Sequence, residues 1–191
     1  MSDSGHHSGV HPQTLADRVE ADTGQSAFRC YQCGKCTAGC PLAAEMDLAP
    51  HQILRLLQLD LPDTGQEVLA SAAIWLCLTC ETCVSRCPQE VDLPRIMDRL
   101  RDESRERGLA HPKAKDILAF HDAFLGSIAR SGRLHEVGLI AAYKLKTMHL
   151  LQDVAVAPRL MARGKLAPLP HGIEDRGAVA RIFAKCRREK P

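Results

Sequence analysis

Cys30-Tyr31-Gln32-Cys33-Gly34-Lys35-Cys36-Thr37-Ala38-Gly39-Cys40-Pro41 and Cys77-Leu78-Thr79-Cys80-Glu81-Thr82-Cys83-Val84-Ser85-Arg86-Cys87-Pro88 are two copies of one spacing, C-x2-C-x2-C-x3-C-P. They take eight of the nine cysteines of the 191-residue chain. This is the thiolate run that holds [4Fe–4S] cubes, which need one thiolate per iron on several sides. Three closely spaced cysteines wrap one face of a cube. The fourth cannot close on the same cube without strain, and where two runs share a domain it serves the neighbouring cube. The spacing therefore predicts one cluster on Cys30, Cys33, Cys36 and Cys87, and a second on Cys77, Cys80, Cys83 and Cys40. Two neighbouring clusters imply electron transfer.

Pro41 and Pro88 turn the chain away from the cubes. Gly34 and Gly39 are expected to let the first loop take positive φ and point N–H groups at sulfur. The second loop has no glycine, so its backbone must do the same with ordinary residues, and its N–H pattern is expected to differ. Arg29 and Lys35 flank the first loop, whereas Glu81 and Arg86 are read as offsetting each other in the second. The cluster on Cys30, Cys33 and Cys36 is therefore expected to have the higher potential. Zinc is the competing reading of C-x2-C pairs, but structural zinc takes four ligands, usually as two separated pairs, and would leave thiols over. Disulfides do not suit such dense spacing in a chain with no secretory signal pattern. Cys186, in a charged tail, reads as an ordinary free thiol.

Apolar content is 45% and aromatic content 4%. No apolar run approaches the roughly 20 residues of a membrane span, and the N-terminus shows no charged-then-apolar signal. A soluble, cytoplasmic protein without membrane insertion is expected. The net charge of +2 hides an asymmetry. Residues 1–100 hold 7 Lys/Arg against 13 Asp/Glu, and residues 101–191 hold 18 against 10. An acidic cluster domain thus precedes a basic extension, read as a docking arm or a solvated helical surface. The basic residues alternate with acids and aliphatics and lack interleaved aromatics, which speaks against nucleic acid.

The chain reads as all-α. Residues 1–12, with His6, His7 and His11, are expected to be disordered. Residues 13–108 form the cluster domain and 109–191 a helical extension. A helix over 13–22 is closed by Gly24. Asp47 is read as the cap of a helix with Pro50 in its first turn and a stripe of Ile53, Leu54, Leu56, Leu57 and Leu59. Leu61 to Gly65 is expected to break it, and a helix over 65–75 leads to Cys77. After the second run, Asp92-Leu93-Pro94 opens a helix ending near Gly108, so the two halves look like a weak duplication. The absence of alternating strands between the runs favours a helical domain over the small βαβ ferredoxin. Further helices are predicted over 114–128, 134–148, near 152–163, and 174–187, with a Pro-rich loop through Pro168 and Pro170. Their apolar stripes are many for so short a chain, and some are expected to face another subunit.

The segment Tyr31 to Pro41, the second cysteine run, and Gly164-Lys165-Leu166 through Pro170 with Ile182-Phe183 resemble the C-subunit of heterodisulfide reductase, over residues 13 to 186. The cysteine runs alone are shared by helical ferredoxin domains such as the iron–sulfur subunits of succinate dehydrogenase and glycolate oxidase. The resemblance carries over all eight cysteines position by position. It implies an α-helical ferredoxin domain with two [4Fe–4S] clusters and a place in an oxidoreductase complex. There a flavin-bearing A-like subunit would pass electrons through this chain to a catalytic B-like subunit that holds Cys-Cys-Gly motifs. No Cys-Cys-Gly occurs here, so the chain is expected to be a non-catalytic wire. A stand-alone ferredoxin, the iron–sulfur subunit of another dehydrogenase, and a sulfur-oxidising variant running the opposite way are the alternatives.

Overall fold

The structure, a computed structural model, describes residues 14–149, 156–164, 169 and 172–188. The histidines of residues 1–12, residues 152–155, Lys165, Leu166, Pro168 and Pro170 lie outside these. Among the described residues there is no strand, so the all-α expectation holds. The chain divides into two compact units, the first ending at Pro112 and the second beginning at Lys113. No helix among the described residues is long and apolar enough to cross a membrane.

In the first unit, α1 (Leu15–Thr23), α3 (Pro50–Leu59), α4 (Pro62–Ala70), α5 (Ala73–Leu76) and α7 (Leu93–Glu106) surround one core, while α2 (Lys35–Ala38) and α6 (Thr82–Ser85) are single turns inside the cysteine runs. Each long helix has a chemical start and stop. Thr14 caps α1 in a capping box with Asp17, and Gly24 ends it at φ 68. Asp92 accepts from the Arg95 N–H and caps α7. The core is made by Val19, Ile53, Leu57, Val68, Leu69, Ile74, Ile96, Met97 and Leu100, each at most 2% exposed. The α7 helix is the spine, since α1, α4 and α5 all pack on it.

Two local readings are corrected. Asp47 does not cap α3, because the cap position is Ala49, whose N–H donates to Gln52 Oε1. The chain does break after α3, at Asp60 and Leu61, but Pro62 to Gly65 are already the first turn of α4, and a second break at Ser71 and Ala72 splits the helix read over 65–75.

Glu103 of α7 is 3% exposed and would be costly to bury alone. Three arginines neutralise it. Arg18 of α1 donates through Nη2 at 2.7 Å, Arg99 Nη2 lies 3.1 Å from Oε2, and Arg107 reaches Oε1. Glu103→Ala is expected to lower stability by about 2 kcal/mol. That is below the usual loss for a broken buried pair, because the arginine side chains, 26%, 19% and 48% exposed, regain water. The thermal midpoint of the variant measures it.

In the second unit, α8 (Lys115–Ser131) packs against α9 (Glu136–Thr147) and α11 (Arg176–Arg188), with a short α10 (Ala157–Ala162) between. Phe120 and Tyr143 join α8 to α9 edge to face at 6.1 Å. None of the largest fully buried side chains belongs to this unit, while Leu125, Leu145 and Met148 are exposed. Its apolar stripes are therefore only partly covered among the described residues.

Candidate metal centres

Each cysteine run enters from a short helix and repeats one backbone path. The turn Ala27–Arg29 delivers Cys30, whose N–H donates to Ala27 O at 3.1 Å. Helix α5 delivers Cys77, whose N–H donates to Ala73 O at 3.1 Å. Two left-handed residues follow in each: Gln32 (φ 64) and Gly34 (φ 75), then Thr79 (φ 50) and Glu81 (φ 59). The glycine-free loop takes the same backbone path with ordinary residues, as its reading required. Thr79 and Glu81 occupy the positions of Gln32 and Gly34 at the strain that L residues pay for positive φ, greatest for β-branched Thr79. Gly39, by contrast, sits at φ −100 and Arg86 at φ −96. Gly39 is thus not needed for its φ, which corrects the expectation for that residue.

The runs meet, α2 packing on α6. Cys40, the last cysteine of the first run, lines one small cavity, of about 30 Å3, with Cys77, Cys80 and Cys83. Pro41, Leu42, Met46, Pro50, Leu78 and Met97 give that cavity an apolar wall. On the other side, Tyr31 hydrogen-bonds Cys33 and feels the charges of Cys33, Cys87 and Cys30, so its phenol is held above the ordinary value. Cys87 of the second run and Cys30 and Cys33 of the first therefore act on one phenol. Cys36 feels Cys30, and Cys83 feels Cys77 and Cys36 across the two runs.

The thiols also pair across the two runs in acidity. The middle cysteines Cys33 and Cys80 are exposed. The Lys35 backbone N–H, helped by Tyr31 and the Lys35 charge, lowers Cys33, and the Thr82 hydroxyl and N–H lower Cys80. Burial raises Cys36 and pushes Cys83 up to about 11. Donors at sulfur include the Gln32 N–H to Cys30 Sγ at 3.4 Å and the Val91 N–H to Cys87 Sγ at 3.4 Å.

Among the described residues no three His, Cys, Asp or Glu side chains converge on a single ion. A tetrahedral zinc site needs four ligands about 2.0–2.3 Å from one centre. A cubane places its thiolates on four separate irons, and a pocket lined by four cysteines and apolar side chains fits it.

Three contributors near the runs escaped the sequence reading. Asp47 accepts from Ser71 Oγ (2.7 Å) and from the Ala72 and Ala73 N–H groups (2.8 and 2.9 Å). Arg101 of α7 donates to the carbonyls of Ile74 and Cys77. His51 Nδ1 lies 2.7 Å from the Thr37 hydroxyl, which hydrogen-bonds Cys36. All span 14 to 27 residues, and no local sequence signal announces them.

Fold and cysteine geometry together define an all-helical iron–sulfur protein. A family profile described as a 4Fe–4S dicluster domain matches residues 26–91. The chain is 35% identical over 138 residues to the C2-subunit of H(2)/formate:CoB-CoM heterodisulfide,ferredoxin reductase from Methanococcus maripaludis, covering 66% of this chain and 71% of that one. It is 40% identical over 106 residues to the second iron–sulfur C-subunit of CoB–CoM heterodisulfide reductase from Methanocaldococcus jannaschii, covering 53% and 55%. It is 31% identical over 106 residues to the C-subunit of H(2):CoB-CoM heterodisulfide,ferredoxin reductase from Methanothermobacter thermautotrophicus, covering 56% of each. The chain belongs to the heterodisulfide reductase C-subunit family. It spans about half the length of the last two relatives.

Proposed function

We propose that the chain is an electron-transfer subunit of a heterodisulfide-reductase-like complex. Cys30, Cys33, Cys36 and Cys87 would hold one [4Fe–4S] cluster, and Cys77, Cys80, Cys83 and Cys40 a second. The observation that carries this reading is the cavity that Cys40 shares with the three cysteines of the other run. Bound there, the clusters would supply one-electron relay chemistry. The chain's own residues do the rest. Gln32 and Val91 donate N–H groups to the sulfurs of Cys30 and Cys87, which favours the reduced, more negative state. Leu42, Met46 and Met97 keep water from the second set. Arg101 holds the Cys77 carbonyl and so the entry to the second run.

The disulfide chemistry is assigned to a partner, since this chain has no Cys-Cys-Gly motif. The proposed partners are a flavin-bearing A-like protein and a B-like protein with Cys-Cys-Gly motifs, in the cytoplasm. The second unit is the proposed docking arm, supported by its excess of cations and by exposed Leu125, Leu145 and Met148. Anaerobic affinity purification from the native host is expected to bring down both partners. A lone, partner-free chain would sink the reading in favour of a diffusible ferredoxin.

A further inference from the structure

The position just before the fourth cysteine is Gly39 in the first run and Arg86 in the second. The two residues share one backbone conformation, φ −100 and φ −96. They also touch. A Cβ built on Gly39 would stand 2.6 Å from Arg86 Cδ and 2.9 Å from both Nε and Nη1. The Arg86 side chain therefore fills the space that a Gly39 side chain would take. No ion pair ties Arg86 to Glu81 among the described residues. Arg86 instead occupies the seam where the two runs exchange their last cysteines.

We propose that Arg86 is a shared seam cation that raises the reduction potentials of both clusters together, with Gly39 as the space that admits it. The inference rests on the exchange of Cys40 and Cys87 proposed above. Arg86 adjoins Cys87, the last ligand of the first cluster, and Gly39 adjoins Cys40, the last ligand of the second. Each cubane with four thiolates carries about −2 when oxidised and about −3 after taking one electron, with no bond made or broken. A cation beside both sets favours the added electron in each. It also offsets the repulsion between two anionic cages held close. Arginine suits the place, because it stays charged at every working pH. Its exposure to solvent makes the effect salt-sensitive. By contrast, Lys35 acts locally, since its N–H and charge bear on Cys33.

The test is an EPR-monitored redox titration of the full-length, cluster-loaded chain, with dithionite supplying the electron. Arg86→Gln is expected to lower the reduction equilibrium of both clusters by about three- to tenfold, tenfold being 59 mV for a one-electron couple. The shift shrinks at high salt. Arg86→Lys recovers part of it. Lys35→Gln moves only one cluster. Gly39→Ala keeps the charge but pushes the flexible Arg86 side chain off the seam, at a φ that alanine accepts. It should reproduce part of the Arg86→Gln shift and add nothing in the Arg86→Gln background. Because it leaves every ligand and charge in place, it also serves as the test if Arg86→Gln loads poorly. A shift confined to one cluster, or none, at full iron loading overturns the inference. Failure of the ligand exchange itself is read separately, from the iron content of the paired cysteine variants described below.

Discussion

Replacing Cys36 and Cys40 together by alanine is expected to strip nearly all the iron, whereas replacing Cys36 and Cys87 together should leave about half. Two [4Fe–4S] clusters hold about eight irons, and loss of one thiolate is taken to cost the whole cube. Each single variant should therefore keep about four irons and tells little by itself. The pairs decide the wiring. With exchange, Cys36 and Cys40 serve different cubes, and Cys36 and Cys87 serve the same one. Without exchange, the two outcomes swap, because Cys36 and Cys40 lie in one run. Iron and acid-labile sulfide on anaerobically purified protein give the answer without activity or partner. The cavity joining Cys40 to Cys77, Cys80 and Cys83 is the reason to expect the first pattern. Stoichiometric zinc in place of iron and sulfide would remove the relay altogether.

Much of this site was legible because it is local. A run of four cysteines within eleven residues fixes its own loop, and Thr14, Gly24, Asp92 and Gly108 mark helix ends through short-range hydrogen bonds and φ. The readings that failed depended on distant partners. Asp47 stands beside the Leu48-Ala49-Pro50 start of a helix, where an aspartate ordinarily caps, but its oxygens find better donors at Ser71, Ala72 and Ala73. The α4–α5 break is unmarked by Gly or Pro, because the acceptor that stabilises it comes from residue 47. Gly39 was read for its φ, whereas its use is the room it leaves for Arg86. The likeness of the two loops was legible from their shared cysteine spacing alone. Thr79 and Glu81 carry no local preference for positive φ, and the path is imposed on them.

Asp47→Ala is expected to lower stability by about 3 kcal/mol and to loosen the second cysteine set. The size follows from the donors left behind. Ser71, Ala72 and Ala73 are at most 3% exposed, and a buried donor without a partner costs about 1–3 kcal/mol. Relaxation, water entry and the Ser71 Oγ that also accepts from the Ala73 N–H at 3.0 Å keep the sum below three full penalties. The loss exceeds that of Glu103→Ala, whose arginines are part-exposed. For a unit of this size it corresponds to a midpoint lower by about 10 °C or more. The damage is directional, because the freed N–H groups start α5, and α5 ends at Cys77. Iron should leave the second set faster than the first under a chelator, and one EPR signal should fade before the other. The pH dependence has a definite sign. Burial alone would raise the Asp47 carboxyl, but hydrogen bonds from Ser71, Ala72 and Ala73 outweigh it and hold it below the ordinary value. Its stabilisation is therefore complete above the unfolded carboxylate pKa of about 3.9 and is lost only as pH falls through the lower folded value. Between about pH 6 and 9 the gap between wild type and Asp47→Ala should stay flat. A gap that opened or closed in that window would mean that another titrating group, and not this carboxylate, holds the second run in place.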